Sequence, residues 1–118
     1  RAINQWYRSF LQDIDGVKFQ SEPDSDYFSN YWLTAIIIDS LKTGVTREQL
    51  RLNLLQDNIE SRPLWKPMHL QPVFKHAPYY GEGVSDELFE NGLCLPSGSN
   101  LTDGDKERIK ESILECLN

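Results

Sequence analysis

One stretch of this chain concentrates side chains able to do chemistry: Arg62-Pro63-Leu64-Trp65-Lys66-Pro67-Met68-His69-Leu70-Gln71-Pro72. A guanidinium, an indole, an ammonium, an imidazole and an amide are crowded together there. The prolines between them stiffen the backbone, so less entropy is lost when the side chains grip a ligand. An arginine fork offers paired donors to a carboxylate or phosphate. An indole is a flat apolar wall for a sugar or base face. An imidazole such as His69 donates, accepts or shuttles a proton near neutral pH. A proline-rich connector that merely needs polar surface has the same composition, so residue types alone leave both readings open.

Other combinations are weaker. His69 and His76 have no cysteine or paired carboxylate at zinc-ligand spacing, so no metal site is expected. Ser97-Gly98-Ser99 falls between a strand and a helix, where backbone N–H groups could meet an anion. It lacks the glycine-and-lysine pattern of a phosphate loop, and an ordinary connection is expected. Cys94, in an apolar strand, reads as inert core. Tyr79-Tyr80-Gly81 is either a surface turn or the wall of a cleft. The acidic residues are scattered and read as a solvated face.

The elements that must position these groups follow from periodicity. Ala2, Ile3, Trp6, Tyr7, Phe10, Leu11 and Ile14 recur at spacings of three and four, a helical stripe ended by Asp15-Gly16. No Ser, Thr, Asp or Asn precedes it, so the chain is expected to begin inside a helix with upstream residues cut away. Residues 17–20 alternate as a short strand, and residues 21–26 form a polar loop with Pro23. Residues 30–39 carry the strongest strand signal, and the unbroken run Ala35-Ile36-Ile37-Ile38 predicts a central strand covered on both faces. After a turn at Lys42-Thr43-Gly44, Thr46 and Gln49 predict a capping box, with Val45 and Leu50 as a hydrophobic staple. Leu50, Leu54 and Leu55 form that helix's predicted buried stripe, and it ends near Asn58.

Residues 59–62 read as another short strand stopped by Pro63. Pro63, Pro67, Pro72 and Pro78 then exclude a long helix or a central strand. Ser85 opens a short helix with Asp86 and Glu87 at its positive end, and Gly92 closes it. Leu93-Cys94-Leu95 is a buried strand, and residues 96–100 are a loop. Thr102 caps a last helix whose stripe is Ile109, Ile113, Leu114 and Leu117. This order predicts an α+β fold, a small sheet with helices packed on it.

The chain has 118 residues, a net charge of −6 and 11% aromatics, which suit one domain with one core. The acidic balance argues against a nucleic-acid or anionic-membrane surface. No apolar run approaches the ~20 residues of a membrane span, and no secretory signal is expected. Cys94 and Cys116 are too few for a disulfide scaffold and are expected as free thiols in a reducing compartment.

Several motifs, in order, carry a family resemblance. Glu60-Ser61-Arg62-Pro63-Leu64-Trp65-Lys66-Pro67-Met68-His69-Leu70-Gln71-Pro72 resembles the nucleotide-sugar aminotransferases of the DegT/StrS type. So do Leu88-Phe89-Glu90-Asn91-Gly92-Leu93-Cys94-Leu95-Pro96-Ser97-Gly98, Leu101-Thr102 with Asp105 and Arg108, and Asn30-Tyr31-Trp32-Leu33-Thr34. The resemblance spans essentially the whole chain. Within the family it is similar to the transaminases that make 4-amino sugars of the bacillosamine type.

The resemblance implies the C-terminal small domain of an aspartate-aminotransferase-type fold, with an antiparallel or mixed sheet. It further implies a cytoplasmic, homodimeric enzyme using pyridoxal phosphate. Glutamate would donate an amino group to a 4-keto-6-deoxy nucleotide sugar, for surface polysaccharide or protein glycosylation. The Schiff-base lysine, its acidic partner and the phosphate-binding residues would lie upstream. Lys42, Lys66 and Lys75 do not match the family's lysine motif, so the fragment alone is expected to be inactive. His69 resembles the family's loop histidine, expected to touch the nucleotide sugar. Trp65 and Gln71 would share that surface, Arg62 would clamp a carboxylate or phosphate or brace the loop, and Lys66 sits at a position variable across the family. Two other readings remain: a free-standing module that binds a small anion through Arg62 and His69, and a purely structural part that stabilises a dimer.

Overall fold

The computed structural model describes residues 1–118. Four short strands build its sheet: β1 (Val17–Phe19), β2 (Thr34–Ile38), β3 (Arg62–Pro63) and β4 (Gly92–Leu95). They lie in the order β1-β2-β4-β3, and every pairing is antiparallel. The helices are α1 (Ala2–Leu11), the single turn α2 (Ser40–Thr43), α3 (Arg47–Gln56), α4 (Val84–Asn91) and α5 (Asp103–Leu117). The α+β expectation holds, with an antiparallel rather than a mixed sheet.

Side-chain alternation gives the sheet two different faces. Ile36 and Ile38 of β2 and Leu93 and Leu95 of β4 are fully or almost fully buried beneath Tyr7 and Leu11 of α1, Leu50 and Leu54 of α3, and Ile109 and Ile113 of α5. Each such side chain contributes about 1.5–3 kcal/mol on leaving water. Buried polar groups in this layer are paired, as burial without a partner would be costly. Tyr7 donates its hydroxyl to the Pro96 carbonyl at 2.8 Å, and burial pushes its phenol well above the ordinary range. Asn53 of α3 donates to the carbonyl and hydroxyl oxygens of Ser112 on α5. The opposite face, carrying Ala35, Ile37, Gly92 and Cys94, is only partly covered; Ala35 and Ile37 are half-buried, so β2 is covered fully on one side alone.

Two expected capping boxes are present. Thr46 accepts from the Gln49 N–H while Gln49 accepts from the Thr46 N–H, and Thr102 and Asp105 do the same on α5. Val45 is half-buried against the core that holds Leu50, as a staple requires.

Several boundaries differ from expectation, each for a local reason. The first helix stops at Leu11, although Ile14 still packs against the core. The strand expected over residues 30–39 begins only at Thr34. The Ser29 hydroxyl and the Asn30 amide oxygen accept from the N–H groups of Tyr31 and Trp32, bending the chain with Tyr31 at φ 49°. Leu55 is exposed, because one residue is a 100° step around α3 from Leu54. Ile59 does not start a strand. Its N–H closes α3 onto the Leu54 carbonyl while Asn58, at φ 61°, bonds Leu55, so only Arg62 and Pro63 reach the sheet. On α5, Ile109 and Ile113 are buried, whereas Leu114 and Leu117 are half-buried.

Candidate functional site

The arm that follows β3 is held at few points. Pro63 lies in an edge strand, where its missing N–H costs no ladder bond. The Leu64 N–H donates to the Gly92 carbonyl at 3.4 Å, and Pro67 is buried. Two 3-10 turns follow, Met68–Leu70 and Pro72–Phe74. Between them Gln71 folds back, donating its side-chain N–H to the Lys66 carbonyl at 3.2 Å.

A cleft of about 490 Å³ opens on the incompletely covered face of the sheet. Trp32 and Trp65 stand in it with ring centres 6.3 Å apart at 38°, and both are about two-thirds exposed. Arg62 lines the same cleft on β3, opposite Cys94 on β4. Its guanidinium meets Glu60 at 2.8 and 2.5 Å in water, a pairing weak enough to exchange for a ligand anion. Ser97 is committed to the fold: its hydroxyl accepts from the Thr34 N–H at 2.8 Å and donates to the Leu95 carbonyl at 2.9 Å. The buried Ser61 hydroxyl has no partner. Burial pushes the Cys94 thiol up, away from the reactive thiolate. Two indole faces and an arginine suit a ligand that is part ring, part anion. The cleft adjoins a hollow of about 360 Å³ bounded by Tyr27, Phe28, Tyr31 and Trp32.

His69 occupies a different hollow, of about 440 Å³, with Phe74, Tyr79 and Tyr80. Its ring stacks on Tyr79 at 3.8 Å and 28°, and its Nε2 lies 2.7 Å from Asp86 Oδ1 on the first turn of α4. The Tyr79 hydroxyl accepts from the Gly83 N–H at 3.3 Å. Gly81 permits that fold: a Cβ there would sit 2.6 Å from the tyrosine oxygen.

The five side chains singled out from sequence therefore divide. Arg62 and Trp65 share the cleft, His69 faces the second hollow, and Lys66 and Gln71 line neither. The arm is solvent-reachable: Arg62 keeps 78% of its side-chain surface and His69 20%. Sequence reasoning missed Trp32 and Asp86, each brought in from far along the chain. Trp32 falls within the strand expected over residues 30–39, and the one local signal against it is Asn30, two residues before, whose side chain can bond the backbone there. Tyr79, open between turn and wall, is a wall.

An antiparallel sheet backed by helices recurs over about 30% of the length of solved aminotransferase structures. A DegT/DnrJ/EryC1/StrS aminotransferase structure from Brucella abortus superimposes with a TM-score of 0.77 at 28% identity, over 99% of this chain and 30% of that one. The structure of DesI with its TDP-sugar product superimposes at 0.83 with 24% identity, over 99% of this chain and 30% of DesI, a likeness of fold. Residues 1–114 match the model of the DegT/DnrJ/EryC1/StrS aminotransferase family, and the chain belongs to that family. It is 40% identical, over 99% of its length, to EpsN of Bacillus subtilis (strain 168), which is named as a pyridoxal phosphate-dependent aminotransferase. It is 34% identical, again over 99% of its length, to a GDP-perosamine synthase of Vibrio cholerae. The chain spans about 30% of the length of each of these curated relatives. No helix is long and apolar enough to cross a membrane.

Proposed function

We propose that this chain is the small C-terminal domain of a cytoplasmic, homodimeric nucleotide-sugar aminotransferase that moves an amino group from glutamate to a 4-keto-6-deoxy nucleotide sugar. The product is a 4-amino sugar of the bacillosamine type, for surface polysaccharide or protein glycosylation. The observation that carries this reading is the open cleft that Trp32 and Trp65 line together with Arg62. The indoles offer faces for a sugar or base, and the guanidinium offers a fork for a diphosphate or a glutamate carboxylate. His69 and Tyr79 supply a second polar contact, with Gln71 and Lys66 bracing the arm. Exposed Tyr27, Phe28, Trp32, Trp65 and Tyr80 support packing beside a larger domain, since apolar surface of this size is normally covered.

Pyridoxal phosphate needs a lysine amine at the reacting carbon, and it supplies the electron sink for amino transfer. No lysine lines the cleft or the hollow; Lys42, Lys106 and Lys110 are paired with Asp15, Asp103 and Glu107. These residues do not fit the cofactor, and holding it falls to the large domain. The chain's own part is to bind and orient the sugar and to keep water from the cleft. A free module gripping one small anion through Arg62 and His69 fits less well, because the two side chains line separate hollows.

The test uses the full-length enzyme. His69→Ala and Arg62→Ala are each expected to slow the sugar half-reaction about ten-fold, the scale of one lost hydrogen bond to a substrate. His69→Ala leaves the glutamate half-reaction unchanged. Equal loss in both half-reactions, or none, would refute the role given to His69.

A further inference from the structure

The contact between His69 and Asp86 joins the arm to α4 across seventeen residues of sequence. Both groups are partly exposed, and a surface pair of this kind adds little stability. Its effect is on the imidazole. An ionised carboxylate only accepts, so the Nε2 facing Asp86 Oδ1 must carry a proton. In a neutral ring the second nitrogen, Nδ1, is then a lone-pair acceptor, and no protein group bonds it. Stacking on Tyr79, itself tied by its hydroxyl to the Gly83 N–H, restricts rotation of the ring.

We propose that Asp86 is a positioning residue: it fixes His69 in the Nε2–H form, so that Nδ1 receives a hydroxyl or N–H donor of the sugar rather than a phosphate oxygen. This rests on His69 meeting the substrate, as proposed above. The same logic orients metal-bound and catalytic histidines, where a carboxylate on one nitrogen decides what the other can do.

Two measurements on the full-length enzyme decide it. Nitrogen-15 spectra at alkaline pH, with the His69 signals assigned by their loss in His69→Gln, are expected to show a protonated Nε2 and a bare Nδ1. A proton on Nδ1 overturns the proposal, whatever the kinetics. In the second, Asp86→Ala is expected to raise KM for the nucleotide sugar about ten-fold and leave the glutamate half-reaction alone. It should add less than about two-fold when His69 is already Ala, as coupled groups do. Asp86→Asn, which keeps an acceptor, should recover part of the loss. Additive losses, or equal loss in both half-reactions, would mean that Asp86 only supports the fold, and would overturn the proposal. If His69→Ala itself spares the sugar half-reaction, the substrate contact fails, while the spectra still decide the pairing.

Discussion

Gly92 is the hinge pin between α4 and β4, and replacing it with alanine tests how the arm is seated. Its φ of −94° and ψ of 141° are ordinary extended values, so alanine brings no backbone strain. The obstacle is space. A Cβ would lie under 3.0 Å from Leu64 Cδ1 and from the Leu88 carbonyl oxygen, and 2.6 Å from Leu64 Cγ. Leu64 can turn aside; the carbonyl cannot, because it belongs to the last part of α4. Forcing a methyl into such a site costs about 1–3 kcal/mol. Moving Gly92 also weakens the Leu64 N–H bond to its carbonyl, a loss of about 1 kcal/mol. Against this, alanine lowers the freedom of the unfolded chain, worth about 0.4–1 kcal/mol. The net expectation is destabilisation by about 1–3 kcal/mol. Equilibrium urea unfolding should show the midpoint fall by roughly 1 M, at a slope of about 2 kcal/mol/M. Adding Leu64→Ala should cost less in the Gly92→Ala background than alone, since it vacates part of the contested space. An unchanged or raised midpoint is what the unfolded-chain effect alone would give, and it would refute the steric account.

Other consequences are more direct. Tyr7→Phe should destabilise the protein by about 1–2 kcal/mol, since the half-buried Pro96 carbonyl loses its donor; a change near zero in the same unfolding assay would mean that water replaces the hydroxyl. The Thr102 hydroxyl and N–H hold the Asp105 carboxyl below its ordinary value of 3.8. The folded value lies below the unfolded one, so the ionised carboxylate's contribution is complete above about 3.8 and is lost as pH falls through the folded value. Asp105→Asn should therefore flatten the acid limb of midpoint against pH, though only in part, because Asp15, Glu22 and Glu48 are lowered as well. Superimposable limbs would contradict this.

What could be read from the chain by itself was whatever depends on near neighbours. Both capping boxes, the apolar stripes of α1 and α5 and the helix-breaking arm follow from residues a turn or less apart, where propensity and periodicity act directly. Family membership was legible for the same reason, as ordered local strings. The strand expected over residues 30–39 went astray because Ser29 and Asn30 side chains competed with the ladder for backbone donors, and the strand at Ile59 because its N–H closed a helix. The site needed more. That Trp32 stands beside Trp65, that Arg62 opens onto one cleft and His69 onto another, and that Asp86 holds the imidazole are pairings between distant segments. Only the closing of β4 between β2 and β3, with α4 running straight into it, brings them within reach. Spacing along a chain carries no record of such distances, because they are set by which sheet face is left uncovered once the core has packed.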